Sequence, residues 1–102
     1  MTPVILSVKA ESDLAKIADD IGERSPKRAA SYVREILEHA GQLAHFPHSG
    51  TPMPHLADNV RRLVHGRYLI FYSVHDDRVQ IERVVHGARD LDRLFEDEPL
   101  PE

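Results

Sequence analysis

Three stretches near the C-terminal end decide the fold. They are Val60-Arg61-Arg62-Leu63-Val64, then Arg67-Tyr68-Leu69-Ile70-Phe71-Tyr72-Ser73-Val74, then residues 79–86, Val79-Gln80-Ile81-Glu82-Arg83-Val84-Val85-His86. Each is rich in β-branched or aromatic residues, the types that fit a pleated surface. Only Gly66 and the turn His75-Asp76-Asp77-Arg78 interrupt them, so the spacing predicts an antiparallel three-stranded meander. The middle stretch is apolar on both faces and should be the central strand. The last alternates, placing Val79, Ile81, Arg83 and Val85 on one face and Gln80, Glu82, Val84 and His86 on the other.

Working outward, residues 47–58 hold Pro47, Gly50, Pro52 and Pro54, a density of breakers that predicts a surface loop with no regular element. Upstream the period changes from two to near four. Ala29, Tyr32, Val33, Ile36, Leu37, Ala40, Leu43 and Ala44 form a stripe on a helix of about residues 26–45. Ser25-Pro26 opens it, because serine caps and proline tolerates the first helical position. Ala10, Leu14, Ile17 and Ile21 form the stripe of an earlier helix over about residues 8–23, with Ser7 as cap and Gly22 near its stop. Residues 2–6 read as a short strand. The order is β-α-α-β-β-β with a short helical end, an α+β fold in which a helical hairpin covers a small sheet.

The chain has 102 residues, a size that suits one domain with one modest core. It has no cysteine, which excludes disulfide scaffolds and thiolate metal sites and suits a reducing compartment. No apolar run approaches the roughly 20 residues of a membrane-spanning helix, and residues 1–6 lack the basic start of a signal peptide. A cytoplasmic protein is expected. The net charge is −4, but Glu96, Asp97, Glu98 and Glu102 account for four of the 17 acidic residues. The 13 left balance the 13 lysines and arginines, so the body is near neutral and unsuited to holding nucleic acid by bulk charge. We divide the chain into a domain over residues 1–95 and an acidic tail over 96–102, expected to be disordered.

The pieces of this pattern, taken in order, resemble the ParE branch of the ParE/RelE toxins. They are Ala10, Asp13-Leu14 and Ile17; Ser25-Pro26 and Ala29; Leu43, Phe46-Pro47 and Gly50; Arg61-Arg62-Leu63; Arg67-Tyr68-Leu69-Ile70-Phe71-Tyr72; and Ile81, Arg83-Val84, His86-Gly87-Ala88-Arg89-Asp90 and Leu94-Phe95. The resemblance implies the β-α-α-β-β-β fold with the first strand packed at the edge of the meander. It also implies the growth-arresting half of a type II toxin–antitoxin pair, bound by a cognate antitoxin, ParD-like or similar. Two targets come with it: DNA gyrase for the ParE branch, and messenger RNA cut on the ribosome for the RelE branch. A member without toxicity that only binds antitoxin is a third alternative.

Fold is shared between the branches, so the residues must separate them. Cleaving RNA without metal requires a base, a cationic phosphate clamp and an acid. If this chain is a nuclease, Arg62, Arg83 and His86 are the candidates, with Glu82 as a possible base. However, Gly87 follows His86 where some nuclease members carry tyrosine, and no lysine lies beyond Lys27. As target- or antitoxin-binding candidates we take Arg62, Arg67, Arg83, His86, Arg89 and Arg93. Each has a plainer alternative. Arg83, among apolar neighbours, needs a partner such as Asp13 or Asp90. His86 to Asp90 can simply end a strand and cap a helix, and Arg62, Arg67, Arg89 and Arg93 can form a solvated rim. Arg61 and Arg62, being adjacent on a strand, face opposite sides. Tyr32 is read as core, and Tyr68 and Tyr72 as sharing the helix-covered face of the central strand. His45, His48 and His55 lie close in sequence, but nothing nearby completes a zinc set. We therefore assign no metal and no cofactor.

Overall fold

The computed structural model describes residues 1–89. Strand β1 (Val4–Leu6) leads into helix α1 (Val8–Gly22) and helix α2 (Pro26–Gly41), and strands β2 (Thr51–Pro52), β3 (Val60–His65), β4 (Tyr68–Val74) and β5 (Val79–His86) follow. The sheet runs β1-β5-β4-β3-β2, so β4 is central and β1 lies at the edge of the meander. β1 is parallel to β5, whereas β3, β4 and β5 are antiparallel neighbours.

Both helices start where the serines lie. The Ala10 amide donates to Ser7 Oγ at 3.0 Å, and the Arg28 amide to Ser25 Oγ at 3.2 Å. Ser7 has a second role: its hydroxyl donates to the Glu82 carbonyl of β5 at 2.8 Å, fixing the start of α1 against the sheet. The α2 stripe is shorter than the sequence suggested. The α-helix stops at Gly41, and Gln42–Ala44 tighten into a 3₁₀ turn. Pro47 restrains Phe46 to extended backbone, and a 3₁₀ turn satisfies carbonyls at the helix end before that break.

The main core lies between hairpin and sheet, with Ile36, Leu43, Ile70, Tyr72 and Ile81 all essentially inaccessible. The loop 47–58 departs from expectation. Thr51 and Pro52 pair with Arg62 and Arg61 as a fifth strand. Ala57, Met53 and Leu56 then cover Val60, Phe71 and Val85 on the face away from the helices. A central strand that is apolar on both faces needs this second cover, and among the described residues the proline-rich segment provides it.

The alternation of β5 is also corrected. The register slips between Phe71 and Tyr72, which pair with Arg83 and Ile81 and leave Glu82 unopposed. Such a bulge inverts the facing of everything after it. Val79 and Ile81 therefore share the helix-side core with Val84, not with Val85, which packs on the reverse face.

Glycine is required at two places. The Gly50 amide donates to Tyr72 Oη, which itself donates to the Pro47 carbonyl, both at 2.9 Å. A Cβ on Gly50 would lie 2.5 Å from that oxygen and 2.8 Å from the Arg62 carbonyl. Gly66, in the β3–β4 turn, has φ +57° and would bring a Cβ to 2.7 Å from Tyr32 Oη. No described helix is long and apolar enough to cross a membrane. The expected C-terminal helix, Asp90 as its cap, and the tail over 96–102 lie outside the described residues, although residues 87–89 are helical.

Candidate functional site

The tip of the helical hairpin and the C-terminal end of β5 point the same way, because β1 runs parallel to β5 and hands the chain straight into α1. Between them lies a cleft of about 710 Å³. The hairpin tip supplies Asp20, Glu23, Arg24, Ser25 and Arg28, and the sheet end supplies Arg67, Tyr68, His86 and Arg89. Tyr32 forms part of its floor.

Three of the expected binding residues thus meet. Arg67 enters from the β3–β4 turn, His86 from the last position of β5, and Arg89 from the helical turn after it. His86 also does local structural work. Its Nδ1 accepts the Arg89 backbone N–H at 3.1 Å, as a capping side chain would. That bond leaves the neutral imidazole with its proton on Nε2. Arg89 reaches Asp20 across the cleft at 3.3 Å, both side chains being about half exposed.

The other candidates lie elsewhere. Arg83 forms a fork with Asp13, Nε to Oδ2 at 2.9 Å and an outer nitrogen to Oδ1 at 3.2 Å. Asp13 Oδ2 accepts the Val84 amide as well, at 2.9 Å. Of the two partners considered for Arg83, Asp13 is thus a direct one. Arg62 lies on the sheet face away from the helices, opposite Phe71, and its buried Nε has no hydrogen-bond partner among the described residues. Arg61, on the helix-side face, donates to the carbonyls of His48 and Gly50. Glu82 is buried and fully engaged, accepting from Ser73 Oγ at 2.7 Å and Gln80 Nε2 at 3.0 Å. Arg93 lies outside the described residues.

Sequence reasoning missed Arg24, Arg28 and the exposed edge of Tyr32. Their place follows from the parallel β1–β5 pairing, which puts the hairpin tip beside the end of β5 and brings the residues flanking Ser25-Pro26 to the His86 side, a long-range contact that no local pattern records. Arg28 lies 4.9 Å from the Tyr32 ring centroid and pairs with Glu35. That hydrogen bond holds the Glu35 carboxyl below its usual range and the Arg28 guanidinium above its own. Tyr32 contacts Tyr68 at 5.8 Å between centroids, and Tyr68 meets His86 edge-on at 5.4 Å. Burial, then the Tyr68 hydroxyl, pushes the Tyr32 phenol above its usual value. On the other side of Tyr32 is His65, whose Nδ1 lies 2.9 Å from His39 Nδ1. Burial and then His39 lower the basicity of His65. Among the described residues, no group of three or more histidines and carboxylates is placed to hold a metal ion.

Chemically the cleft is a cationic recess with an aromatic floor. Among the described residues no nucleophile there is paired with a base: Ser25 Oγ caps α2, and His86 Nδ1 accepts the Arg89 amide.

Comparison with known proteins agrees with the topology. The chain is 35% identical over 91 residues to toxin RelE2 of Caulobacter vibrioides, a match covering 87% of this chain and 99% of that one. It is similar to a structure of the chromosomal ParDE system from P. aeruginosa, with a TM-score of 0.73, 25% identity, and 84% of this chain and 96% of that one covered. The family described as ParE toxin of the type II toxin–antitoxin system parDE matches residues 4–91. With the fold and nearly the whole described chain in agreement, this protein belongs to the ParE toxin family of type II toxin–antitoxin systems.

Proposed function

We propose that this toxin arrests growth by binding DNA gyrase rather than by chemistry of its own, and that a cognate, ParD-like antitoxin neutralises it in the cytoplasm. The observation that carries this reading is the dispersal of the nuclease candidates. Arg83 is held by Asp13 at the outer edge of β5, Arg62 lies on the reverse face, and His86 stands at the cleft. A metal-free nuclease needs base, phosphate clamp and acid around one phosphodiester. Glu82 is buried in hydrogen bonds and supplies no such base. Serving as an imidazolium acid would require a proton on His86 Nδ1, which would end its bond to the Arg89 amide.

A second reading, ribosome-dependent messenger RNA cleavage, draws support from the name of the Caulobacter relative, RelE2. The two separate in cells induced for this chain without antitoxin, with DNA and protein synthesis pulse-labelled over the first minutes. Early loss of DNA synthesis with continuing translation supports gyrase as target. Early collapse of translation overturns it. Growth unaffected by a folded chain would make this a member that only binds antitoxin.

A further inference from the structure

We propose that the cleft between the hairpin tip and the end of β5 is a binding site for a phosphate ester of mononucleotide size. This stands independently of whether gyrase is the target.

Charge is the first argument. The chain carries −4 overall, yet four guanidiniums, those of Arg24, Arg28, Arg67 and Arg89, face this recess against two carboxylates. Arg28 pairs with Glu35 and Arg89 with Asp20, which leaves Arg24 and Arg67 against Glu23. Among the described residues, the guanidiniums of Arg24 and Arg67 make no hydrogen bond and no salt bridge. They come from opposite walls, Arg24 from the α1–α2 junction and Arg67 from the β3–β4 turn. Two planar forks on facing walls match an anion with several oxygens. A phosphate monoester, with close to two negative charges and three terminal oxygens, uses both, whereas one carboxylate satisfies a single fork.

The shape of the cleft fits the same ligand. A recess of about 710 Å³ is much larger than a lone phosphate and lies in the range of small-ligand sites. The partly buried Tyr32 ring lines the space beside the arginines and gives an aromatic base or sugar an apolar contact. A long nucleic-acid track is disfavoured, because the rest of the body is close to neutral and offers little net charge for counterion release along a strand. One phosphate with one attached aromatic group is what the walls accommodate.

The test is calorimetric titration of the full chain with AMP, inorganic phosphate and adenosine as probes. The expected result is AMP binding, weaker phosphate binding, and adenosine weaker than AMP by at least about tenfold, the scale of a charge-assisted bond. The Arg24→Gln/Arg67→Gln chain, checked for native circular dichroism, should lose at least about tenfold in AMP affinity. Arg78→Gln, on the distant β4–β5 turn, should leave it unchanged. A tetranucleotide with and without a 5′-phosphate separates the sources. Binding no tighter than AMP assigns the site to a free nucleotide, and tighter binding that needs the 5′-phosphate assigns it to a strand end. No AMP binding at millimolar concentration, an affinity unchanged in the double variant, or tighter binding of a glutamate-rich peptide would each overturn the proposal.

Discussion

Replacing Asp13 by alanine removes three interactions at once. Its carboxylate holds both prongs of Arg83 and the backbone amide of Val84, and it is 7% exposed. Breaking a buried ion pair from one side costs about 3–5 kcal/mol, and here Arg83 loses its bidentate carboxylate. The orphaned Val84 amide contributes to that loss, at about 1–3 kcal/mol for an unsatisfied buried donor. We expect a loss of about 4 kcal/mol, a large part of the roughly 5–15 kcal/mol a domain of this size has. Read by urea unfolding with circular dichroism, that is a midpoint lowered by about 2 M for a slope near 2 kcal/mol/M. Asp13→Asn keeps an acceptor for the Val84 amide and should lose less. In Asp13→Leu/Arg83→Met both charges leave together, so the double variant should be destabilised by at least about 2 kcal/mol less than the sum of its singles. If Asp13→Ala costs under about 1 kcal/mol, or the two changes simply add, the pair does not hold α1 to β5 as argued.

Gly50→Ala should cost about 2–3 kcal/mol in the same assay, since the Cβ must displace a tyrosine hydroxyl held on its far side by the Pro47 carbonyl. Gly66→Ala should cost about 1–2 kcal/mol from its left-handed backbone alone. On the acid side, the lowered basicity of His65 means that the unfolded chain takes up the proton first. Its contribution is fully present above the unfolded value of about 6.5 and is lost as pH falls through the folded value, so the acid decline measured by thermal melting should be shallower in His65→Gln. On the alkaline side the phenol of Tyr72 is raised, chiefly by burial. Its contribution holds below about pH 10 and is lost as pH rises through the folded value, a decline that Tyr72→Phe should reduce.

The elements were legible wherever one local rule governed them. Ser7 and Ser25-Pro26 mark helix starts because capping involves neighbours only, and the two-faced apolar run of residues 69–74 marks a central strand. The remainder depended on contacts between distant residues. The facing of β5 changes at a bulge set by its pairing with β4, which no alternation within residues 79–86 records. Thr51 and Pro52 become a strand because β3 offers them an edge, against the propensity of Pro52 and its proline-rich surroundings. For the candidate site, Arg67, His86 and Arg89 were identifiable from their place at the end of the meander. Arg24 and Arg28 were not, since their role depends on where the hairpin tip lands. For Arg83 the apolar neighbours already favoured a structural pair, but the choice between Asp13 and Asp90 needed the position of α1.

The pairing of β1 with β5 has a consequence for the timing of synthesis. Leu6 finds its partner only at Ile81, and Asp13 reaches Val84 across 71 residues. Contacts this distant in sequence cannot form until both ends have left the ribosome, and closing them carries the entropy of a long loop. A growing chain can form its helical hairpin early, but the sheet is incomplete until β5 emerges, and the cleft has no His86 wall before then. Any function that needs this cleft therefore begins only after nearly all of the domain has been made. An antitoxin that recognises the finished surface meets it only once β5 has emerged.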